Sequence, residues 1–280
     1  MAHIIHMSVT NGIKGTPEVD NTIIKNRKIA QKFNKSYALK YRVEEEQKKR
    51  GLKVKPIIQD VPTRWGSTRA STQSFLDSKT EDKEKDKKDS LSDVFEDEFR
   101  NMEAINSALS KIKYKKGQKL SDYLLTRTEM NRIKHINKFL TTIDIFSTTL
   151  GGAKFVTSSI VFPVVASMKK LLKADSDDPV YIAKMKEIIL EDFKPRLIEN
   201  LNFELLLKAT ALDPRFKLMK MVEDKEGREK VFDKIEEEFN VLSQKKTVTK
   251  KKNKNVVKVK KQKLSLDFNE FYDEEEQNEN

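Results

Sequence analysis

The chain has 280 residues, of which 37% are hydrophobic and 36% are charged, against roughly 45–50% and about 25% in average globular domains. This length suits one large domain or two ordinary ones. Lys and Arg number 56 and Asp and Glu 44, so the formal net charge is +12. The excess favours an anionic partner: nucleic acid, an acidic membrane surface or an acidic protein. Because cysteine is absent, disulfide frameworks, thiol nucleophiles and cysteine-ligated metal sites are excluded.

The apolar runs argue against the membrane alternative. Residues 1–7 lack the basic stretch and long apolar run of a signal peptide. The longest weakly polar run, 155–168, is too short to cross a bilayer and contains Pro163. We therefore expect a soluble intracellular chain without a membrane partner.

The first fifty residues are predicted to be largely helical. A short apolar pattern covers 2–15, and the next helix opens at Thr16-Pro17-Glu18. Pro is tolerated in a first helical turn, and Glu suits its positive end. A further helix, rich in Glu and Lys, runs from Tyr37 to Arg50 and is stopped by Gly51.

Residues 53–61 are the best strand candidate, because they are short, rich in β-branched residues and bounded by Gly51 and Pro62. Pro56 confines this strand to a sheet edge or delays its start. A loop over 63–68 then leads into a helix that ends near residue 76. Residues 79–90 contain no apolar side chain, and we predict that they are disordered.

The rest of the chain, up to its tail, is predicted to be helical. Apolar periodicity and end signals, among them Gly151-Gly152 and Asp177-Asp178-Pro179, favour helices over 92–112, 121–150, 160–172, 179–193 and 224–243. After Pro195 a helix or a strand runs to residue 207, and residues 209–216 form an irregular corner.

The tail separates its charges into two blocks. Residues 245–263 hold ten Lys and no acid, and residues 264–280 hold seven acids and no base. Such blocks are usually disordered. The lysine block has three interpretations: a nonspecific DNA clamp that the acidic block could mask, a solvated linker, or a nuclear localisation signal. The last would use Lys250, Lys251, Lys252, Lys258, Lys260 and Lys261.

Four short motifs occur in a familiar order. They are Ala2-His3 followed by Ile4-Ile5-His6-Met7-Ser8-Val9; Asp60-Val61-Pro62-Thr63-Arg64-Trp65-Gly66-Ser67-Thr68; Leu150-Gly151-Gly152-Ala153-Lys154-Phe155-Val156-Thr157-Ser158-Ser159; and Ala211-Leu212-Asp213-Pro214-Arg215-Phe216-Lys217. Together they resemble the motifs of hAT-type transposases and of the zinc finger BED domain-containing proteins descended from them. The second has Gly66 where the family's Thr-Arg-Trp-Asn-Ser-Thr box has Asn, and the fourth is similar to its Leu-Asp-Pro-Arg-Phe-Lys box.

The resemblance implies a mainly α fold: an all-α insertion domain with a partial ribonuclease H-like core at its N-terminal end. The strand near 55–61 would belong to that core. The expected segments are 1–76 for the partial core, 77–91 for a disordered charged insertion, 92–243 for the insertion domain and 244–280 for a disordered tail.

The family cuts DNA with two metal ions held by two Asp and one Glu. The resemblance places both Asp before the first motif and the Glu beyond the fourth, so we expect no catalytic residues, no metal and no cofactor in this chain. An active transposase is thus the disfavoured alternative, and we expect the chain not to be an enzyme. The family's dimerisation segment also has no counterpart here, which makes a monomer the default.

The second motif supplies the candidate DNA-binding residues Arg64, Trp65 and Ser67. By resemblance Trp65 would stack beside a DNA flank, and Arg64 would pair with phosphate. The alternative is that Trp65, the one tryptophan of the chain, plugs the junction between strand and helix.

The first and fourth motifs favour structural roles. His3 and His6 lie one helical turn apart, but a metal site would need a third ligand. In the family His3 would orient groups near the active centre, whereas a structural role suits this chain better. Asp213, Pro214, Arg215 and Phe216 are predicted to build a corner in which Asp caps a turn and Phe is buried.

We therefore expect a nuclear protein of transposase origin that associates with DNA through Arg64, Trp65 and basic helical faces without cleaving it. The alternative is a helical scaffold that binds a protein partner.

Overall fold

Ten α-helices and one 3-10 turn account for most of the chain that the structure, a computed structural model, describes. The described residues are 2–61, 65–76, 99–112, 119–151, 158–200, 202–216, 219–220 and 225–248. The helices are α1 (Ala2–Gly15), α2 (Pro17–Asn34), α3 (Tyr37–Lys49), α4 (Trp65–Phe75), α5 (Arg100–Ser110), α6 (Arg127–Leu150), α7 (Ser158–Leu171), α8 (Val180–Asn200), α9 (Phe203–Ala211) and α10 (Lys225–Val248). These ranges contain no strand, and the mainly α fold class is confirmed.

The chain divides into two compact units. Unit 1 comprises residues 1–157 and 171–201, and unit 2 comprises residues 158–170 and 202–280. Helices from both sides of the boundary predicted at residue 76 belong to unit 1, where α3 packs on α5 and α4 packs on α6. The four-segment division stays a prediction. Its disordered insertion, 77–91, and residues 249–280 of its tail lie outside the described residues, whereas residues 244–248 belong to α10 and are helical.

The core of unit 1 is built from the apolar faces of α2 to α6. Its buried members include Ile29, Phe33, Phe75, Ile105 and Ile133. These residues recur at helical spacing, so each helix presents one apolar stripe to the others. The 3-10 turn Leu120–Asp122 leads into α6.

Local signals fix several helix ends where the sequence predicted them. Pro17 is the first residue of α2, and Gly51, at φ 66°, follows the end of α3. This left-handed φ suits glycine because it has no Cβ. At α6, Thr126 Oγ1 accepts from the Glu129 N–H (3.2 Å), while the Glu129 carboxylate accepts from the Thr126 N–H (2.8 Å). This capping box places the helix start at residue 127, later than predicted, and Gly151 caps the end.

Helix α1 makes its most extensive contact with α8. Gly12 and Gly15 face Ile189 and Ile188, and a Cβ on Gly12 would lie 2.2 Å from Ile189 Cγ1. The missing side chains therefore let the two helices approach closely. At one edge of the contact, Asn11 Nδ2 donates to Asp192 Oδ1 (2.9 Å).

Asp192 makes this contact sensitive to acid. The Arg196 guanidinium donates to both carboxylate oxygens (2.7 and 3.0 Å) and lowers the pKa of Asp192 from 3.8 to about 2. Because the pKa is lower in the folded state, the stabilisation is complete above the unfolded value and disappears as pH falls towards 2. We expect the difference in unfolding free energy between the native chain and Asp192→Asn to be constant above pH 5 and to shrink from pH 4 to pH 2.

Urea titrations at several pH values would measure that difference. The matched control is Glu191→Gln, which removes the same charge from the neighbouring exposed position. A difference for Asp192→Asn that stayed constant down to pH 2 would contradict the lowered pKa.

The predicted strand over 53–61 is wrong. Residues 52–61 form neither helix nor strand. Side chains form hydrogen bonds with backbone groups of this segment that would pair with a neighbouring strand in a sheet. Gln47 bonds both the N–H (3.3 Å) and the C=O (3.2 Å) of Lys55, and the Ile58 N–H donates to Ser74 Oγ (2.9 Å). This segment therefore gives no support to a ribonuclease H-like sheet.

Two further boundaries differ from prediction. Helix α4 begins at Trp65, so residues 65–68 are helical rather than loop, whereas 62–64 lie outside the described residues. Helix α8 continues through Pro195 to residue 200 instead of ending at 193. Pro195 removes one backbone hydrogen bond, but Phe193 and Leu197 on either side of it are fully buried, and that packing stabilises the continuous helix.

Unit 2 contains α9, α10 and nearly all of α7, which is helical despite Pro163, as predicted. Lys208 pairs with Glu238 (2.7 Å) and Glu204 with Lys234 (3.2 Å). Because these pairs advance in the same direction along both helices, α9 and α10 run parallel. Across the described ranges, no helix is both long and apolar enough to cross a membrane.

Candidate nucleic-acid interface

The structure brings Trp65 and Ser67 together at the start of α4, whereas Arg64 lies outside the described residues. Trp65 is only 6% exposed. Ser67 Oγ accepts from the Val61 N–H (2.8 Å) and donates to the Val61 carbonyl (3.0 Å). In this conformation Trp65 has no free face for a base, and Ser67 fixes the preceding segment, so their positions favour the structural alternative.

An ion pair with a buried carboxylate lies beside Trp65. Arg27 donates from Nε (2.5 Å) and Nη2 (2.8 Å) to the two oxygens of Asp60, which is 3% exposed. Thr68 Oγ1 donates to the same carboxylate (3.1 Å). Arg27, Trp65, Thr68 and Lys14 also line a pocket of about 70 Å³, far below the roughly 300–1,000 Å³ of small-molecule sites.

The two N-terminal histidines lie side by side on α1. The ring centroids of His3 and His6 are 6.4 Å apart, with the rings stacked. The described residues contain no group of three or more His, Asp or Glu that could hold a metal ion. The role of His3 stays a prediction.

The fourth motif forms a turn after α9 in unit 2. Asp213 accepts from the backbone N–H (3.0 Å) and the guanidinium (2.6 Å from Nη2) of Arg215, and from Ser159 Oγ (2.8 Å). The Arg215 guanidinium is the main cause that lowers the pKa of Asp213 to about 2. Phe216 is buried and Pro214 lies in the turn. This geometry is that of a corner, at which α9 extends to residue 211 before the chain turns.

Positive charge is concentrated in α2, α3 and the segment that follows them. Residues 25–55 hold twelve basic and three acidic residues. One of the acids, Glu46, is 6% exposed and accepts from Lys111 Nζ and Arg50 Nη1, both at 2.5 Å. The hydrogen bond from Lys111 is the main cause that lowers the pKa of Glu46. Glu46 is thus buried and paired, which leaves Glu44 and Glu45 as the acids nearer the surface.

Three lysines of α2 and Lys35, which caps its end, are here called the lysine stripe; they follow one another at intervals of three, four and three residues: Lys25, Lys28, Lys32 and Lys35. Lys28 and Lys35 are exposed. Lys25 pairs with Glu129 (2.8 Å), and Lys32 Nζ lies 3.9 Å from the centroid of the Tyr123 ring. Burial lowers the pKa of Lys32.

The sequence interpretation missed this stripe, although its spacing was readable. Lysines at i, i+3, i+7 and i+10 of a helix share one face. The sequence predicted DNA contacts at Arg64, at Trp65 and on basic helical faces, but it did not single out these four lysines. The six lysines of the predicted nuclear localisation signal lie outside the described residues.

The Arg27–Asp60 pair and the lysine stripe lie in unit 1, and the 213–216 corner lies in unit 2. The resemblance to hAT transposases stays a prediction. Comparison of the chain with family models, curated proteins and solved structures found no match.

Proposed function

We propose that this protein associates with DNA through the lysine stripe of α2. The observation that carries the proposal is the concentration of twelve basic and three acidic residues within 25–55, where Lys28 of α2 and Lys35 at its end are both exposed. The range 171–200, also in unit 1, holds five basic and seven acidic residues. The positive charge is therefore local, and not a property of the whole unit.

The stripe has dimensions that suit a phosphate backbone. Ten residues of α-helix span roughly 15 Å, over which one strand of duplex DNA presents about four phosphates. Each lysine that neutralises a phosphate releases condensed counterions, and this release is the driving force of nonspecific binding. The contact would carry affinity but no base sequence information.

Removing the stripe is expected to weaken DNA binding and its dependence on salt. In Lys28→Gln/Lys32→Gln/Lys35→Gln, the slope of log affinity against log salt should fall by roughly 2–3 and duplex affinity by about 10–100-fold. Lys25 is left in place because it pairs with Glu129. Fluorescence anisotropy with a duplex, titrated at several salt concentrations, measures both quantities.

The matched control removes three exposed lysines from the acidic range of the same unit: Lys173→Gln/Lys184→Gln/Lys194→Gln. It changes the net charge by the same amount and should leave the slope nearly unchanged. Equal effects of the two triple variants would mean that DNA binding depends on the net charge of the protein and not on the lysine stripe. Absence of binding by the native chain at about 50 mM salt, where phosphate contacts are strong, would overturn the proposal.

The second candidate function is a protein-interaction scaffold, and α10 favours it. Phe232, Phe239 and Leu242 are 42%, 66% and 59% exposed on this helix. Exposed apolar patches mark sites of association in many soluble proteins. A native chain that bound no DNA but self-associated or captured a protein would support this function instead.

The origin and location of the protein belong to the same proposal. The four motifs support descent from an hAT transposase, with a partial ribonuclease H-like core and an all-α insertion domain, and with DNA association but no strand cleavage. The lysines between 250 and 261 support a nuclear location, because short lysine-rich runs are typical of import signals.

A further inference from the structure

Two tyrosines of α3 are unusually exposed. Tyr37 is 86% and Tyr41 55% exposed, and among the described residues no other aromatic side chain of Phe, Tyr or Trp is as exposed as Tyr37. They lie one turn apart, so both rings are on the same side of the helix. Burying a tyrosine ring is favourable, and the arrangement therefore provides two ring faces for a ligand.

The tyrosine pair lies next to the end of the lysine stripe. Only Lys35 and Ser36 separate α2 from α3, and the two helices pack on each other. Ser36 Oγ accepts from the Leu39 N–H (3.3 Å) and caps α3, which fixes Tyr37 at its first turn. Lys35 is thus two residues from Tyr37 along the chain, and Lys28 lies two helical turns before Lys35.

We propose that Tyr37 and Tyr41 stack unpaired bases of single-stranded nucleic acid, whose phosphates run along Lys35 and Lys28. The inference rests on the proposed function and adds the class of nucleic acid to it. Aromatic side chains beside a basic track are how proteins hold single strands without sequence preference, since every base has a π-face. Bases inside a duplex are already stacked and do not offer that face.

The acidic residues of α3 give the site a direction. Glu44 and Glu45 follow Tyr41, and the charge of Glu45 with its hydrogen bond to Tyr41 raises the pKa of that phenol. Phosphates would be repelled at this end. The strand therefore leaves the tyrosines towards α2, in which residues 21–34 contain no acid.

The test compares a single strand of about 15 nucleotides of thymidine with a duplex of equal length, a size within the range of known single-strand sites. Tyr37→Leu/Tyr41→Leu keeps apolar side chains but removes the rings, and Tyr37→Phe/Tyr41→Phe keeps the rings. We expect the leucine pair to weaken single-strand binding at least about tenfold, the effect of losing one stacked base. The phenylalanine pair should bind the single strand as the native chain does.

Duplex binding should change less than twofold in both variants, because duplex contacts depend on the lysine stripe. Phe232→Leu/Phe239→Leu on α10 is the control for loss of exposed aromatic surface and should affect neither ligand. The stacking site would be overturned if the leucine and phenylalanine pairs bound the single strand equally well. It would also be overturned if the leucine pair lost as much affinity for the duplex as for the single strand. Neither result would contradict duplex binding by the lysine stripe. A native chain that binds neither ligand would overturn both proposals.

Discussion

Replacing Arg27 with methionine is expected to lower the free energy of unfolding by about 3–5 kcal/mol, the cost of leaving a buried charge without its partner. Asp60 is 3% exposed and accepts two hydrogen bonds from Arg27 and one from Thr68. In Arg27→Met the hydroxyl of Thr68 remains as a donor to Asp60. Methionine fills much of the volume of the arginine stem, so the loss comes mainly from the unpaired carboxylate.

Urea unfolding followed by fluorescence would measure this effect. Trp65, the one tryptophan of the chain, lines the same small pocket as Arg27 and Thr68, so it reports on the affected part of unit 1. The titration of the variant should keep the slope of the native chain and move its midpoint to lower urea.

The two halves of the ion pair are expected to differ in cost. The Arg27 side chain is 28% exposed, whereas that of Asp60 is 2% exposed, so an orphaned guanidinium can reach water and an orphaned carboxylate cannot. Asp60→Asn should therefore cost about 1–2 kcal/mol. The double variant Arg27→Met/Asp60→Asn should be more stable than Arg27→Met alone. Equal costs for the two single variants would contradict this account.

This ion pair also explains why the conformation of 52–61 could not be predicted. The β-branched residues at 53–61 carry a real preference for extended backbone, but a strand exists only where another strand pairs with it. Here the partners are instead side chains of three helices: Arg27 of α2, Gln47 of α3 and Ser74 of α4. Such contacts depend on how α2, α3 and α4 pack, and a single sequence does not carry that information.

Helix ends were predictable where their signals are local. Pro17, Gly51 and Gly151 act through their own backbone preferences, and each marks an end that the structure also has. Pro195 failed as a signal because the burial of Phe193 and Leu197 outweighs one missing hydrogen bond. Tertiary packing overrides propensity most easily in such buried helices.

The candidate interface was only partly predictable for the same reason. Helical spacing alone places the four lysines of the stripe on one face. The burial of Trp65 and the exposure of Tyr37 depend on packing: Trp65 lines a pocket with residues of α1 and α2, whereas Tyr37 is 86% exposed. Aromatic residues in a basic chain point to nucleic acid, but the fold decides which ring is available.

Adding one methyl group at Gly12 is expected to have the second large effect. In Gly12→Ala the new Cβ would lie 2.2 Å from Ile189 Cγ1, 2.9 Å from Cδ1 and 3.1 Å from the Met185 carbonyl oxygen. Ile189 is fully buried, so its side chain has little space to move, and the carbonyl belongs to the backbone of α8. Overpacking of this kind costs about 1–3 kcal/mol or more, and the better helix propensity of alanine returns at most about 1.

We expect a net loss of about 2 kcal/mol for Gly12→Ala, measured as a lower melting temperature and urea midpoint. Gly66→Ala is the matched control, because nothing lies within 4 Å of a Cβ at this helical position. It should stabilise the chain by about 0.5–1 kcal/mol through helix propensity and a less flexible unfolded state. The same substitution thus acts with opposite sign at two helical glycines. A stabilising effect of Gly12→Ala would contradict the close approach of α1 and α8 at this position.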